Sequence, residues 1–551
     1  MDKIAKARSE YDRWCEKALD NGIKNELLAL RNDEDELIES FYGNLKFGTS
    51  GIRGILGCGT NRMNIYVVRR TTQGLCNYLK KNYEKPSVVI AYDSRKNSRL
   101  FAKETAQIIS ANGIDAYLFS EITPVPVLSY AIGNLGTTMG VMITASHNPK
   151  IFNGYKVYSS DGYQVVGDVP DKILDEINNL DFFDDFYFSN DNIIELDDTI
   201  KEKFTDDVVS MMPLIPPKEI LNNLSVVYTP LNGAGNKYVR KLFEKAGFEN
   251  VHIVEEQEMP DSNFTTCPVP NPEKLAVYDR AFKLYDKVNG DIIIATDPDS
   301  DRVGAALTYD DMKINLSGNQ IGILILKFLC EHRKVAENSF IMKSIVTTPL
   351  AEKIAASYGI KTINTLTGFK YIGEQIAELM NSGNQEKYFF GFEESNGFLI
   401  SPFIRDKDGV STALIIAIMA AVYKQEGKTL IDKLQEIYDE YGRCIDKTKN
   451  FVFEGIKGIA VMQDIMKYFR NDVTYSLGKV KIIEKTDYLA EDTGLPKADV
   501  IKLSFDDNST AIIRPSGTEP KIKVYMFSEK GRSEGEKEIT RIMKEFQTIL
   551  D

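Results

Sequence analysis

Residues 142–156 read Met-Ile-Thr-Ala-Ser-His-Asn-Pro-Lys-Ile-Phe-Asn-Gly-Tyr-Lys. The apolar run Gly140 to Ala145 ahead of Ser146 has the make-up of a buried strand, and polar residues follow at once. A hydroxyl at that break stands at the mouth of a sheet, where α/β proteins place their chemistry. Lys156, ten residues on, comes within reach if the loop folds back. A serine in a strand-end turn is common by itself. Three unusual segments elsewhere in the chain give this one its weight.

Around this stretch, strand-like runs at 87–92, 114–119 and 139–145 alternate with helical patterns at 98–112 and 125–134. That alternation predicts a mostly parallel, covered sheet. Past an acidic stretch, Asp181 to Asp207, expected to be surface, the pattern resumes. Strands are expected at 225–229, 251–254 and 291–296, with helices at 236–246 and 272–287. A third round has strands at 339–346, 360–365 and 387–392 and a helix at 411–425. The last segment differs: strands at 478–484, 498–505, 510–514 and 521–527 precede one helix, 533–549, the order of an α+β domain. The expected division is a helical extension over 1–45, then domains at 46–205, 206–316, 317–442 and 443–551. No fixed-period repeat is visible.

A chain of 551 residues exceeds one core, consistent with several domains. Its 43% hydrophobic and 27% charged content is that of an ordinary soluble protein. The net charge of −13 argues against nucleic acid or an anionic membrane as partner. The six cysteines include no C-x-x-C pair, which argues against zinc and for a reduced, cytoplasmic setting. The first residues lack the apolar core of a signal peptide, and the longest apolar stretch, Ala413 to Val422, is too short to span a bilayer.

Residues 291–302 read Asp-Ile-Ile-Ile-Ala-Thr-Asp-Pro-Asp-Ser-Asp-Arg. Asp297, Asp299 and Asp301 alternate, so in an extended loop their carboxylates converge. Two like charges 4 Å apart repel by about 4 kcal/mol at an effective dielectric of 20. A bound cation removes that cost, and all-oxygen ligands suit Mg²⁺. A calcium loop is a competing interpretation, but Arg302 stands where its Gly belongs and Thr308 where its Glu belongs. A solvated acidic turn is another.

Residues 47–54, Phe-Gly-Thr-Ser-Gly-Ile-Arg-Gly, combine three glycines with Arg53, a pattern for close backbone approach to an anion or for a plain turn. Residues 514–523, Arg-Pro-Ser-Gly-Thr-Glu-Pro-Lys-Ile-Lys, gather donors directly after a strand. Such a loop suits a phosphate; a surface hairpin is the alternative. Residues 391–397, Gly-Phe-Glu-Glu-Ser-Asn-Gly, supply the carboxylate and hydroxyl groups that sugar hydroxyls require, or a helix cap with acids in its first turn. The P-loop, the dinucleotide fingerprint and the nucleophile elbow are each incomplete. On an extended chain Ser146 and His147 diverge, which argues against a Ser–His hydrolase pair. His252 and His332 are expected to be structural.

These four segments resemble, in content and order, those of the α-D-phosphohexomutase superfamily, over about residues 45–551. Thr144 to Pro149 matches its phosphoserine loop, Asp297 to Arg302 its metal loop, Gly391 to Gly397 its sugar-binding loop and Arg514 to Lys521 its phosphate-binding loop. The resemblance implies three α/β domains with mixed sheets around a central cleft plus a C-terminal α+β domain of the TATA-box-binding-protein-like kind. It implies that Ser146 carries the phosphoryl group and that one Mg²⁺ per chain is held by Asp297, Asp299, Asp301 and the Ser146 phosphate. Arg53 and Arg302 would stabilise the phosphoryl in flight, and Lys156 would act as general acid or base with His147 nearby. Glu393 and Ser395 would bind sugar hydroxyls, Thr367, Gly368 and Lys370 would sense substrate orientation, and Arg514, Ser516, Gly517, Thr518 and Lys521 would grip the idle phosphate. The implied substrates are sugar phosphates, with glucose 1,6-bisphosphate as activator and intermediate, in a monomer or homodimer. Glu393-Glu394-Ser395 resembles the glucose-directed form, which implies phosphoglucomutase activity. Phosphomannomutase and phosphopentomutase activities are the alternatives, and a non-catalytic or bisphosphate-forming relative is the different class.

Overall fold

A computed structural model describes residues 3–48, 51–453, 458–516 and 521–550. Among the described residues, twenty-one strands form four sheets. The first contains β1 (Gly51–Ile55), β2 (Ser87–Tyr92), β3 (Asp115–Phe119), β4 (Met139–Ile143), β5 (Phe152–Tyr158) and β6 (Ile193–Leu196), ordered β1-β5-β4-β2-β3-β6. The second contains β7 (Val226–Thr229), β8 (Val251–Ile253), β9 (Ile292–Thr296), β10 (Val303–Tyr309) and β11 (Met312–Asn315), ordered β11-β10-β9-β7-β8. The third contains β12 (Phe340–Ser344), β13 (Lys361–Thr365), β14 (Tyr388–Glu393) and β15 (Gly397–Leu399), ordered β13-β12-β14-β15.

One device recurs in all three. A buried parallel strand runs into a short loop and returns as an antiparallel neighbour: β4 into β5, β9 into β10, β14 into β15. The central parallel strands β4 and β9 are apolar and fully buried because helices cover both faces. The returning strands are where the amino-acid pattern is least informative, since β5 mixes Asn153, Gly154 and Lys156 with aromatics.

The fourth sheet is wholly antiparallel. It contains β16 (Ile445–Val452), β17 (Ser476–Leu477), β18 (Val480–Asp487), β19 (Ile501–Phe505), β20 (Thr510–Pro515) and β21 (Lys521–Ser528), ordered β16-β21-β20-β19-β18-β17. The helices Gly458–Asn471 and Arg532–Leu550 accompany it. Phe469, Ile501, Val524 and Phe546 are among the residues of its own core. Here too a hairpin, β20 into β21, presents the loop of interest.

The helix Gly409–Gln425 is buried nearly all round and packs on β9, β10 and β15, so it ties the second and third sheets together. Asp408 caps it, accepting from the amides of Val410 and Ser411 at 2.9 Å each. Three helices, Lys3–Lys17, Asn21–Leu30 and Glu34–Phe41, make up the extension. Trp14, fully buried, sits among Phe41, Tyr66, Phe182 and Phe183, so the extension is packed onto the first sheet's helices.

Several expectations need correcting. The acidic stretch is not only surface: it contains β6 and the helix Thr199–Ser210, which buries Ile200, Phe204 and Val208. Its apolar residues fall at helical spacing behind the acids that drew attention. The helix expected over 272–287 is a short 3₁₀ turn, Leu275–Tyr278, followed by the helix Asp279–Val288. Of the segment 47–54, residues 51–54 belong to a strand paired in register with β5, which no sequence pattern announces, and Thr49 and Ser50 lie outside the described residues. Gly51, at φ +150°, admits no side chain, because a Cβ would lie 2.0 Å from the Tyr155 carbonyl. Among the described residues no helix is long and apolar enough to cross a membrane.

Candidate active site

Ser146 follows β4 at φ 49°, a left-handed backbone that non-glycine residues adopt at a cost of about 1–2 kcal/mol. This turn brings its Oγ to 3.2 Å from His147 Nδ1, where an extended chain would have parted them. The expectation that the two side chains diverge is therefore corrected. Oγ also donates to Asp297 Oδ2 at 2.7 Å and lies 3.5 Å from Asp301 Oδ1.

Arg95, absent from the sequence reading, holds the loop's shape. Its buried guanidinium donates to the carbonyls of Ser146, Asn148, Pro149 and Phe152. Arg53 reaches the same loop from β1, donating to Asn148 Oδ1 at 3.0 Å. Thr144 Oγ1 bridges two carboxylates, at 2.6 Å from Asp93 and 3.1 Å from Asp299.

The metal-loop aspartates are 0–2% exposed, and a ligand oxygen from each lies within 4.8 Å of the others. Ser300, at φ 53°, turns this loop. Burial, then Asp299 and Asp301, push the Asp297 carboxyl well above its ordinary value. For Asp301 burial acts the same way, but Lys407, Lys156 and Arg302 outweigh it and hold the group ionised. Asp299 Oδ1 is buried with no hydrogen-bond partner among the described residues. An orphaned carboxylate oxygen inside a triad of hard oxygen donors fits a divalent cation such as Mg²⁺.

Lys156 stands on β5 opposite Met142 of β4. Its ammonium is 3.1 Å from Asp299 and 3.5 Å from Asp301. Burial works against its charge, yet these two carboxylates more than offset it and keep the amine protonated. Lys407 forms a second cation at the same place, 3.2 Å from Asp301 and 3.0 Å from Asp406. Asp406 in turn accepts from Tyr158 at 3.0 Å. The segment Arg405-Asp406-Lys407-Asp408 has no counterpart among the sequence expectations, although four charged residues directly before a helix rich in apolar residues are a legible signal. His147 is pushed well below its ordinary value by burial and by Arg302, so its imidazole is neutral.

The loop between β14 and β15 is stitched to the aspartate loop between β9 and β10. Arg302 donates to the Ser395 carbonyl at 3.0 Å and pairs with Glu273 at 2.7 Å. Asn396, at φ 61°, exchanges hydrogen bonds with Val303. Glu393, 5% exposed at the end of β14, accepts from the Gly368 amide at 2.7 Å. Burial raises its pKa, against Lys407, that amide, Arg302 and Arg514. Glu394 accepts from Ser344 and Thr347 at 3.2 and 3.3 Å. Burial and Glu393 push its carboxyl up to about 7. Thr367 Oγ1 is buried without a partner among the described residues. Lys370 lies over the Tyr371 ring, and burial lowers its amine to about 8.

From the fourth domain, Arg514 on β20 is near enough to act electrostatically on Glu393 and Tyr371. The Ser516 amide donates to the Lys521 carbonyl at 2.8 Å, closing the hairpin. Gly517 and Thr518 lie outside the described residues, as do Thr49 and Ser50.

Residues 44–184, 202–309 and 317–441 match, in order, domains I, II and III of the family described as phosphoglucomutase/phosphomannomutase, alpha/beta/alpha. A phosphoglucomutase of Staphylococcus haemolyticus is 35% identical over 530 residues, 90% of this chain and 95% of that one. Another, of Staphylococcus aureus strain MRSA252, is 35% identical over 545 residues, 94% and 96% of the two chains. The open form of parafusin, a phosphoglucomutase from Paramecium, shares the fold with a TM-score of 0.68 at 18% identity, covering 92% of this chain and 96% of that one. Matched through three consecutive domains and spanned almost end to end by its relatives, this chain belongs to the phosphoglucomutase/phosphomannomutase family.

Proposed function

We propose that the chain is a phosphoglucomutase that interconverts glucose 1-phosphate and glucose 6-phosphate through a phosphoserine at Ser146 and a glucose 1,6-bisphosphate intermediate. The observation that carries this reading is the placement of the Ser146 hydroxyl, 2.7 Å from Asp297, in a buried carboxylate triad with an orphaned oxygen. Relatives 35% identical over nearly the whole chain carry the phosphoglucomutase name, which favours glucose.

Asp297, Asp299 and Asp301 would hold Mg²⁺, which when bound neutralises phosphoryl charge. In the first half-reaction a sugar hydroxyl forms a P–O bond as the P–O bond to Ser146 breaks. Neutral His147 can take up the proton that the hydroxyl gives up, and protonated Lys156 can supply one to a departing oxygen. Arg53 and Arg302 would balance charge on the moving group. Glu393, Ser395 and the Thr367–Lys370 loop would read the sugar's hydroxyls and orientation, while Arg514 and the loop after it would grip the phosphate that is not reacting. The intermediate then turns round and returns its other phosphate to Ser146.

The test is a coupled assay of glucose, mannose, glucosamine and ribose 1-phosphates side by side, with and without chelator. Fastest turnover of glucose 1-phosphate, silenced by chelator and restored by Mg²⁺, is expected. A preference for another sugar would replace the substrate, and full activity in excess chelator would remove the metal.

A further inference from the structure

A second cavity, of 400 Å³, lies between the first and second domains. It is bounded by the segments that follow β2 and β3 and by the first turn of the helix Gly235–Ala246. The carboxyl ends of parallel strands are where such sheets bind ligands.

Three independent features there favour an anion. No side chain caps the twelve-residue helix, so its first-turn amides and dipole remain available. Ser94, 8% exposed, lines the cavity, and its hydroxyl has no partner among the described residues. Arg99 and Lys237 stand on the rim. Lys237 is paired with Glu121, which offsets its charge, whereas Arg99 has no ion-pair partner among the described residues. Between these groups the wall is apolar, built from Tyr92, Ile122, Met259 and Pro260.

The cavity also borders the machinery of Ser146. Arg95 lines it and holds the carbonyls of the phosphoserine loop. Asp93 lines it too, and accepts the Thr144 hydroxyl that also reaches Asp299.

We propose that this cavity is a second ligand site, separate from the sugar cleft, for a small phosphate monoester with an apolar body. The phosphate sits at the helix N-terminus between Ser94 and Arg99, and the body lies against Tyr92 and Met259. Its occupancy bears on the phosphoserine loop through Arg95.

Phenyl phosphate is a suitable probe, titrated calorimetrically into the full chain. The double variant Arg99→Ala/Lys237→Ala should weaken binding about tenfold or more, the loss expected for charge-assisted contacts, while unfolding at the wild-type temperature. A phosphate bound in the sugar cleft would be insensitive to that variant, so equal affinity in the two proteins would overturn the proposal. Benzoate and inorganic phosphate are the control arms. Benzoate binding as tightly as phenyl phosphate would overturn the phosphate assignment, and inorganic phosphate binding as tightly would overturn the apolar wall's role. As a second readout, Met259→Trp places an indole in the cavity wall, away from the buried Trp14. Its emission should change on adding phenyl phosphate and cease to respond when Arg99→Ala/Lys237→Ala is combined with it; an unresponsive indole in the otherwise native chain would also count against the site.

Discussion

Ser146 depends for its position on Arg95 more than on its immediate neighbours. A planar guanidinium serves four carbonyls at once, which the three rotatable donors of an ammonium cannot do. Arg95→Lys should therefore lower kcat by tenfold or more while leaving KM nearly unchanged, and steady-state kinetics on the folded variant checks this. An unaltered kcat would show that the loop holds its shape unaided. Lys370 gives a prediction in pH. Burial lowers its amine to about 8, so it is charged below that pH and neutral above. If it meets a phosphate, KM should rise as pH passes from 7 to 9. Lys370→Arg, whose charge persists throughout that range, should flatten the rise; a KM profile identical in both proteins would exclude Lys370 from phosphate binding. Among single residues, the carboxylates and Ser146 stood out in the sequence because alternation and an abrupt end to an apolar run are local signals. Arg95 does not stand out, because it acts on carbonyls 51 to 57 residues away in the chain.

At the scale of elements, the hairpin return explains why residues so far apart converge. Each loop hangs between a buried parallel strand and its antiparallel neighbour, and three of the turns use a left-handed non-glycine residue, Ser146, Ser300 or Asn396. Ser300→Gly should preserve the fold and metal affinity, because glycine accepts φ 53° without strain. Ser300→Val should destabilise the protein by about 1–3 kcal/mol, since a β-branched residue resists that backbone. Chemical denaturation and Mg²⁺ titration of the pair test this, and equal stability would mean the loop can take another conformation. Buried interior strands are legible: 87–92 and 521–527 are expected, and Ser87–Tyr92 and Lys521–Ser528 are found. The returning strands β5, β10 and β15 and the edge strands β1 and β16 are not. β1 is two-fifths glycine, and β16, Ile-Asp-Lys-Thr-Lys-Asn-Phe-Val, is polar because it lies at a sheet edge with little burial. Their pairing is decided by neighbours far off in the chain rather than by their own apolar pattern.

For the whole molecule, the first three sheets are fastened across the site by backbone contacts. The Val125 amide donates to the Asp299 carbonyl at 2.9 Å and the Gly409 amide to the Ser300 carbonyl at 3.0 Å. The fourth domain has a core of its own, and Tyr488, Val500, Ile512, Tyr525 and Phe527 join it to the apolar cluster of the other domains, with the exposed pair of Lys353 and Glu529 beside that contact. Arg514 has to admit a sugar phosphate and then close on it, so the segment from about residue 443 is expected to turn toward the cleft on binding, sliding over that apolar contact. Small-angle scattering should show a smaller radius with glucose 1,6-bisphosphate than without, and an unchanged profile would mean the grip is already closed. The proposed reaction requires that Ser146 carry the phosphoryl group, and intact-mass analysis with peptide mapping during turnover tests that most directly. The expected result is a phosphoryl-sized addition on Ser146 that disappears when glucose 6-phosphate is added, with glucose 1,6-bisphosphate appearing in equal amount, and neither adduct nor turnover in Ser146→Ala. Turnover with Ser146 unmodified throughout, or an active Ser146→Ala enzyme, would contradict it.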